Sequence, residues 1–218
     1  MILRPSPNFE PRPEGAVIDM LMMHYTGMTS GAEALERLID PSAKVSAHYM
    51  IDEDGTIYSL VSEEMRAWHA GLSFWRGKTD VNSRSIGIEL VNPGHEFGYR
   101  PFPKAQMDAL IPLARSILSA HPIPPRNVVA HSDIAPTRKD DPGELFDWKD
   151  FAAEGIGLWP EPAEEEAPAV GLADYGYDTS DMSAAIVAFQ RHFRPTNLSG
   201  EFDTECRRLL LSLLRMAQ

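Results

Sequence analysis

The 218-residue sequence lacks the features of a disulfide-stapled domain, a membrane span or a nucleic-acid-binding surface. Its single cysteine, Cys206, excludes a disulfide within the chain and fits a reducing compartment. Its apolar runs are far shorter than the roughly 18 residues of a membrane-spanning helix, so no membrane span is expected. The formal net charge of −12 disfavours nucleic acid as a partner, because phosphate binding requires a basic surface.

The first residues, MILRPSPNFEPRPEG, lack the apolar segment of a secretory signal. Together with the lone cysteine, this favours a cytoplasmic location. The composition then changes once along the chain, at residues 159–168, which read WPEPAEEEAP and cannot form a core. We therefore predict a first domain over residues 1–158, an acidic, proline-rich linker over residues 159–169 and a helical domain over residues 170–218.

Strand and helix patterns alternate within the first domain. Strands are expected at residues 17–24, 48–52, 56–61, 85–91 and 127–130, and helices at residues 32–39, 104–121 and 146–154. Asp54–Gly55 separates the second and third strands and is typical of a hairpin turn. The pattern predicts an α/β fold with a mixed central sheet flanked by helices. Helical spacing over residues 182–193 and 205–216 predicts a small all-α domain after the linker.

Two of the seven histidines stand at the ends of predicted strands. His24 closes the strand at 17–24, and His131 follows the strand at 127–130 and opens a loop that contains Asp141. Strand ends converge at one sheet edge, so these three side chains can meet. Two imidazoles and one carboxylate suit a catalytic Zn²⁺ with a fourth position for water. From spacing alone, however, a strand-end histidine is more commonly a hydrogen-bonded loop residue than a metal ligand.

Two charged residues lie near this set. Glu89 faces away from its apolar neighbours Ile88 and Leu90 on a predicted strand, so it either faces solvent or acts as a general base. Lys139 lies two residues before Asp141 and is either a solvated loop residue or a cation aimed at an oxyanion.

Aromatic residues and the remaining histidines leave alternatives open. His69 follows Trp68 in AWHAG and is either a donor in a cleft or a surface residue beside a packed ring. Trp75 either stacks on a sugar or covers the core. We expect His48 in the core. We expect the remaining three histidines at the surface: His95, His121 and His192.

Ordered sequence segments carry a resemblance to a known family. They read MMHYTGM, VSAHYMIDEDGTIYSLV, AWHAGLSFWRG, NSRSIGIELVN, FPKAQMDAL and VVAHSDIAPTRKDDPGELFDW. In this order and spacing, they closely resemble type 2 zinc-dependent N-acetylmuramoyl-L-alanine amidases, which are related to phage T7 lysozyme and to peptidoglycan recognition proteins. The resemblance covers roughly residues 15–155, almost the whole first domain.

The resemblance implies one Zn²⁺ per chain and hydrolysis of the amide between N-acetylmuramic acid, or its anhydro form, and L-alanine in peptidoglycan or muropeptides. His24, His131 and Asp141 match the metal ligands, Glu89 the acid/base and Lys139 the stabiliser of the tetrahedral intermediate. Residues expected to contact the substrate are His69, which matches a cleft position, together with Tyr25 and Trp75. Some relatives have a catalytic tyrosine where this chain has Ala47, so the base role falls to Glu89.

The tail resembles a three-helix peptidoglycan-binding module, and the alternative is a helical cap that only stabilises the first domain. A wall-binding tail would favour the cell envelope over the cytoplasm. We expect a monomer. The alternative function is a peptidoglycan-fragment binding protein without turnover, which the complete metal-ligand set disfavours.

Overall fold

The computed structural model describes residues 1–165 and 170–218, in which strands and helices form an α/β fold. The strands are β1 (Ile2–Leu3), β2 (Phe9–Pro11), β3 (Met20–Tyr25), β4 (Tyr49–Ile51), β5 (Ile57–Ser59), β6 (Met65–Ala67), β7 (Ser85–Leu90) and β8 (Val128–Ala130). The helices are α1 (Gly31–Ile39), α2 (Gly94–Phe97), α3 (Lys104–Ala120), α4 (His131–Ile134), α5 (Trp148–Ala153), α6 (Leu172–Tyr175), α7 (Met182–Phe193) and α8 (Thr204–Met216).

A six-stranded mixed sheet has the strand order β1-β5-β4-β7-β3-β8. Strand β3 pairs in parallel with both β7 and β8, and β4 also runs parallel to β7. Strands β4 and β5 form the antiparallel hairpin that Asp54–Gly55 predicted. The expected mixed sheet flanked by helices is thus confirmed, and a separate ribbon joins β2 to β6.

Alternation along β3 gives the sheet two buried faces. Leu21 and Met23 belong to the apolar cluster that contains α3 and α5. Met20 and Met22 face the other way and belong to the cluster that contains the tail helices. Successive strand residues point to opposite faces, so His24 continues the side of Met20 and Met22. This side of the sheet carries the candidate metal ligand.

The tail helices share one hydrophobic core with the first part of the chain. The shared cluster includes Met20, Met22, Trp75, Val129 and Ile134 from the first part and Leu172, Tyr177, Phe189, Phe193 and Leu210 from the tail. A tail of about 50 residues buries too little surface to form a strong core alone. The helices were correctly predicted, but their burial depends on the sheet.

The described part of the predicted linker lies against the last helix. The backbone N–H of Ala163 donates to the carbonyl of Arg208 at 3.3 Å, and Glu165 forms an ion pair with Arg215 at 2.5 Å. Residues 166–169 of the predicted linker fall outside the described residues. Within the described ranges, no helix has both the length and the apolar character that crossing a bilayer requires.

Candidate metal centre and active site

The predicted ligand set meets at the carboxyl end of the parallel strands. His24 is the next-to-last residue of β3, and His131 follows β8 directly. Nδ1 of His24 lies 3.0 Å from Nδ1 of His131, and each of these nitrogens lies 3.0 Å from Oδ2 of Asp141. All three residues are buried. Separations of about 3.3 Å are expected for tetrahedral ligand atoms with bonds of roughly 2.0–2.1 Å, so the donor triangle fits a metal ion.

The other ring nitrogen of each histidine has its own hydrogen-bond partner. Nε2 of His131 donates to the carbonyl of Ala70 at 3.0 Å. Nε2 of His24 lies 3.0 Å from Nδ1 of His69, whose Nε2 lies 3.2 Å from the hydroxyl of Ser85. With the proton on Nε2 of both His24 and His69, each ring donates to the next group, so both hydrogen bonds from His24 to Ser85 are formed. Such outer contacts fix the tautomer that leaves Nδ1 free for a metal.

The electrostatic environment favours the protonation states in which these three side chains can bind a cation. Burial and, to a smaller extent, repulsion from His131 lower the pKa of His24 to about 4, although Asp141 opposes the change. Burial disfavours the charged form of Asp141, but the charge and hydrogen bonds of His131 and His24 outweigh burial and lower its pKa. A neutral imidazole and an ionised carboxylate are the forms that bind metal.

Glu89 lies beside the ligands because of the strand register. It is the parallel partner of His24 across β3 and β7, and by alternation it faces away from Ile88 and Leu90. Its Oε2 is buried, with no hydrogen-bond partner among the described residues. Burial raises the pKa of Glu89 well above its ordinary value, and Asp141 adds to the increase while Lys139 opposes it. This carboxyl can therefore hold a proton at a pH where an exposed glutamate would not.

A cavity of about 290 Å³ opens over the ligands and is lined by Glu89 and Lys139 as well as by the three ligands. Tyr25 also lines it, and its hydroxyl lies 3.0 Å from Nδ1 of His95. The cavity thus brings together the carboxyl group of Glu89, the amino group of Lys139 and the donor triangle. A metal-assisted hydrolysis needs these groups around one reacting carbonyl.

The structure corrects the expectation that Trp75 contacts substrate. Trp75 is 0% exposed, and its indole N–H donates to Oδ1 of Asn127 at 3.2 Å. Its ring packs edge-on against Tyr175 and Tyr177 of the tail. The core alternative is the correct one, because Trp75 belongs to the hydrophobic cluster that the sheet shares with the tail.

His69 lines the cavity, but both of its ring nitrogens are engaged by His24 and Ser85. Its ring fits only because β7 has a glycine beside it: a Cβ on Gly87 would lie 2.5 Å from Nδ1 of His69. The contact between His69 and the candidate metal ligand His24 was not predicted from the sequence. A glycine that interrupts an otherwise apolar strand was the available signal.

Two predictions about the other histidines have opposite outcomes. His48 is fully buried, and its Nδ1 accepts from the backbone N–H of Gly87 at 3.0 Å, so the core prediction is confirmed. His192 was expected at the surface but is 3% exposed, and this prediction is wrong. It lies three residues after Phe189 on the buried stripe of α7, which was the available signal.

Comparisons with known proteins agree with this geometry. Residues 14–144 match the N-acetylmuramoyl-L-alanine amidase family. The chain is 42% identical to N-acetylmuramoyl-L-alanine amidase AmiD of Escherichia coli K12, over 90% of this chain and 82% of AmiD. It is 35% identical to 1,6-anhydro-N-acetylmuramyl-L-alanine amidase AmpD of Enterobacter cloacae, over 68% of this chain and 87% of AmpD.

A solved structure extends the likeness to the tail. E. coli AmiD, in complex with its substrate anhydro-N-acetylmuramic acid-L-Ala-D-gamma-Glu-L-Lys, superimposes with a TM-score of 0.82 and 39% identity. The match covers 93% of this chain and 91% of AmiD. The chain belongs to the N-acetylmuramoyl-L-alanine amidase family. It is an N-acetylmuramoyl-L-alanine amidase, which hydrolyses the amide bond between N-acetylmuramic acid and L-alanine.

Proposed function

We propose that this amidase holds Zn²⁺ with His24, His131 and Asp141 and acts on muropeptides that carry anhydro-N-acetylmuramic acid. The observation that carries the metal assignment is the triangle of three buried donor atoms 3.0 Å apart. A bound Zn²⁺ would polarise the scissile carbonyl and lower the pKa of water to about 7. Nitrogen and oxygen ligands also accept other divalent ions, so zinc is part of the proposal.

Glu89 is the proposed general base and acid. Its buried Oε2 has no other partner among the described residues and is therefore available to accept a proton from the attacking water. The raised pKa of Glu89 allows the carboxyl to keep that proton until the C–N bond breaks. Glu89 then donates the proton to the leaving nitrogen of L-alanine.

Lys139 is the proposed stabiliser of the oxyanion. It lines the same cavity as Glu89, and its positive charge acts on both Glu89 and His24. An ammonium group at this position donates to the oxygen on which negative charge develops. Tyr25, also in the cavity wall, is the proposed contact for the remainder of the substrate. We assign His69 to holding His24 rather than to binding substrate, because neither of its ring nitrogens is free.

The test is hydrolysis of anhydro-N-acetylmuramyl-L-Ala-D-γ-Glu-L-Lys, the compound bound in the AmiD complex. Mass spectrometry should show the free tripeptide and anhydro-N-acetylmuramic acid. A chelator should abolish their release, and Zn²⁺ should restore it. Binding of this compound without turnover at any added Zn²⁺ would instead support the non-catalytic alternative. Cleavage within the peptide would refute the proposed bond.

The location and oligomeric state stay predictions. We expect a cytoplasmic monomer, for which soluble anhydro-muropeptides would be the accessible substrate. Fractionation of native cells with detection of the chain tests the location, and light scattering of the purified protein tests the oligomeric state. Recovery in the envelope fraction, or a dimeric mass, would contradict these predictions.

A further inference from the structure

Two neighbouring residues at the end of α7, Arg191 and His192, contact the segment that carries two of the three ligands. This segment runs from His131 to Glu144 and includes Asp141. Both residues belong to the tail, and no residue of the tail is among the described residues that line the cavity. They suggest that the tail does more than cover the sheet.

His192 reaches the segment through a buried carboxylate. Nδ1 of His192 lies 2.7 Å from Oδ2 of Asp133, and the pair is almost fully buried. The imidazole is stacked between the rings of Trp148 and Phe193, with centroid distances of 3.8 and 3.9 Å. The Tyr177 hydroxyl donates to Oδ1 of Asp133 at 2.7 Å. The tail therefore supplies a donor to each oxygen of Asp133.

Asp133 in turn fixes the start of α4. Its Oδ2 accepts from the backbone N–H of Ala130 at 2.7 Å, so it bridges the residue before His131 and the two tail donors. His131 is the first residue of α4, only two positions before Asp133. A buried carboxylate that lost a donor would carry a desolvation cost and would favour a changed backbone here. The orientation of His131 thus depends on contacts with the tail.

Arg191 holds the other end of the segment. Its guanidinium Nη2 lies 3.0 Å from Oδ1 of Asp140, the residue immediately before Asp141. Its Nε lies 3.5 Å from Oε2 of Glu144 in an ion pair. The Arg191 side chain is only 11% exposed, but the side chains of Asp140 and Glu144 are 57% and 25% exposed, so solvent partly screens these ion pairs.

We propose that His192 and Arg191 are positioning residues for the metal ligands: His192 orients His131 through Asp133, and Arg191 orients Asp141 through Asp140. The proposal rests on the proposed metal centre. Outer contacts of metal ligands typically change metal affinity by 10–100-fold when removed. The tail is then part of the catalytic centre, whether or not it also binds peptidoglycan.

The experiment separates the His192 donor from the stacked His192 ring. His192→Phe keeps an aromatic ring between Trp148 and Phe193 but removes the donor to Asp133. His192→Asn loses the ring but places an amide N–H near the position of Nδ1. Zn²⁺ affinity of each full-length variant is measured by competition with a chromogenic chelator, and the visible spectrum of the Co²⁺-loaded protein reports the ligand geometry.

We expect His192→Phe to weaken Zn²⁺ binding by about 10–100-fold and to alter the Co²⁺ spectrum, and His192→Asn to stay within about threefold of the unsubstituted chain. Likewise, Arg191→Met should weaken binding and Arg191→Lys should recover part of it. Arg215→Met is the matched control, because Arg215 lies in the same tail but pairs only with Glu165 among the described residues. Unchanged binding by Arg215→Met is expected.

Two results would overturn the proposal. A normal affinity and spectrum for His192→Phe would show that the packed ring alone is needed. Equal weakening by His192→Phe and His192→Asn would show that a donor to Asp133 is not what orients His131. If His192→Phe does not fold, Tyr177→Phe removes the second tail donor to Asp133 and keeps its ring. Normal Zn²⁺ affinity in that variant would also overturn the proposal, although the proposed function would stand. No Zn²⁺ binding by the unsubstituted chain would overturn both.

Discussion

Replacing Glu89 with glutamine tests the proposed proton transfer most directly. Glutamine has nearly the same shape, so the three metal ligands and the cavity should keep their arrangement, but its amide cannot accept the proton from water. Removal of a general acid–base group typically lowers turnover by about 10²–10⁴-fold, which is about 3–5 kcal/mol in the activation free energy.

The structure favours the upper part of this range, because among the described residues that line the cavity no second carboxylate or imidazole is free. The other carboxylate lining the cavity, Asp141, already contacts His24 and His131. The ring nitrogens of the two ligand histidines are also engaged. Loss of Glu89 should therefore leave no group to take over its role.

The same substitution should stabilise the fold. Burial and the negative charge of Asp141 disfavour the ionised form of Glu89, which is why its pKa is raised. At pH 8 the neutral amide avoids that penalty, so urea unfolding should give a larger free energy for Glu89→Gln. A stabilised protein that binds Zn²⁺ normally but turns over slowly is the expected combination.

The assay measures kcat by release of the tripeptide from the anhydro-muropeptide, with Zn²⁺ content determined on the same samples. Glu154→Gln is the control, because Glu154 is exposed and pairs with Arg115 away from the cavity. Turnover of Glu89→Gln within tenfold of the unsubstituted enzyme, at equal Zn²⁺ content, would refute the base assignment.

Three further predictions follow from particular contacts. Gly87→Ala should displace His69 and weaken Zn²⁺ binding by about tenfold or more, because the new Cβ would lie 2.5 Å from the His69 ring. Competition with a chelator measures the Zn²⁺ affinity, and an unchanged affinity would contradict the prediction. In chelator-treated protein, burial lowers the pKa of His24, His48 and His69, so stability is highest above pH 6.5 and falls as the pH drops towards 4, by about 3 kcal/mol for His24 alone. Urea unfolding should show this loss in the Glu89→Gln variant, because protonation of Glu89 would otherwise stabilise the fold at low pH and mask it. Equal unfolding free energies at pH 7 and pH 4 would contradict the prediction. Trp75→Ala should cost about 3–5 kcal/mol of unfolding free energy and leave KM unchanged where the variant is folded, whereas a raised KM would restore the substrate role for Trp75.

Much of the site was predictable because it follows from local rules. The apolar runs of β3 and β8 end at His24 and His131, and parallel strands end at one sheet edge. Alternation along β7 separates Glu89 from Ile88 and Leu90. These rules act over a few residues, so they are visible in the sequence. The family resemblance then selected this triple among seven histidines.

The roles of three other residues depended on contacts across the chain. His192 and Asp133 are 59 residues apart, and Trp75 and Asn127 are 52 apart. Neither separation corresponds to a helical or strand period, so no local pattern identifies the partner. His69 likewise shows only that it precedes a small residue, not that it meets His24.

The sequence by itself indicated a mixed sheet flanked by helices and the residues that could form a metal centre, because periodicity and strand ends are properties of neighbouring residues. Only the tertiary structure decided that the tail shares the core of the sheet and contacts the ligand segment. Burial of a polar side chain requires a specific partner, and that partner is chosen by packing between distant segments rather than by local sequence.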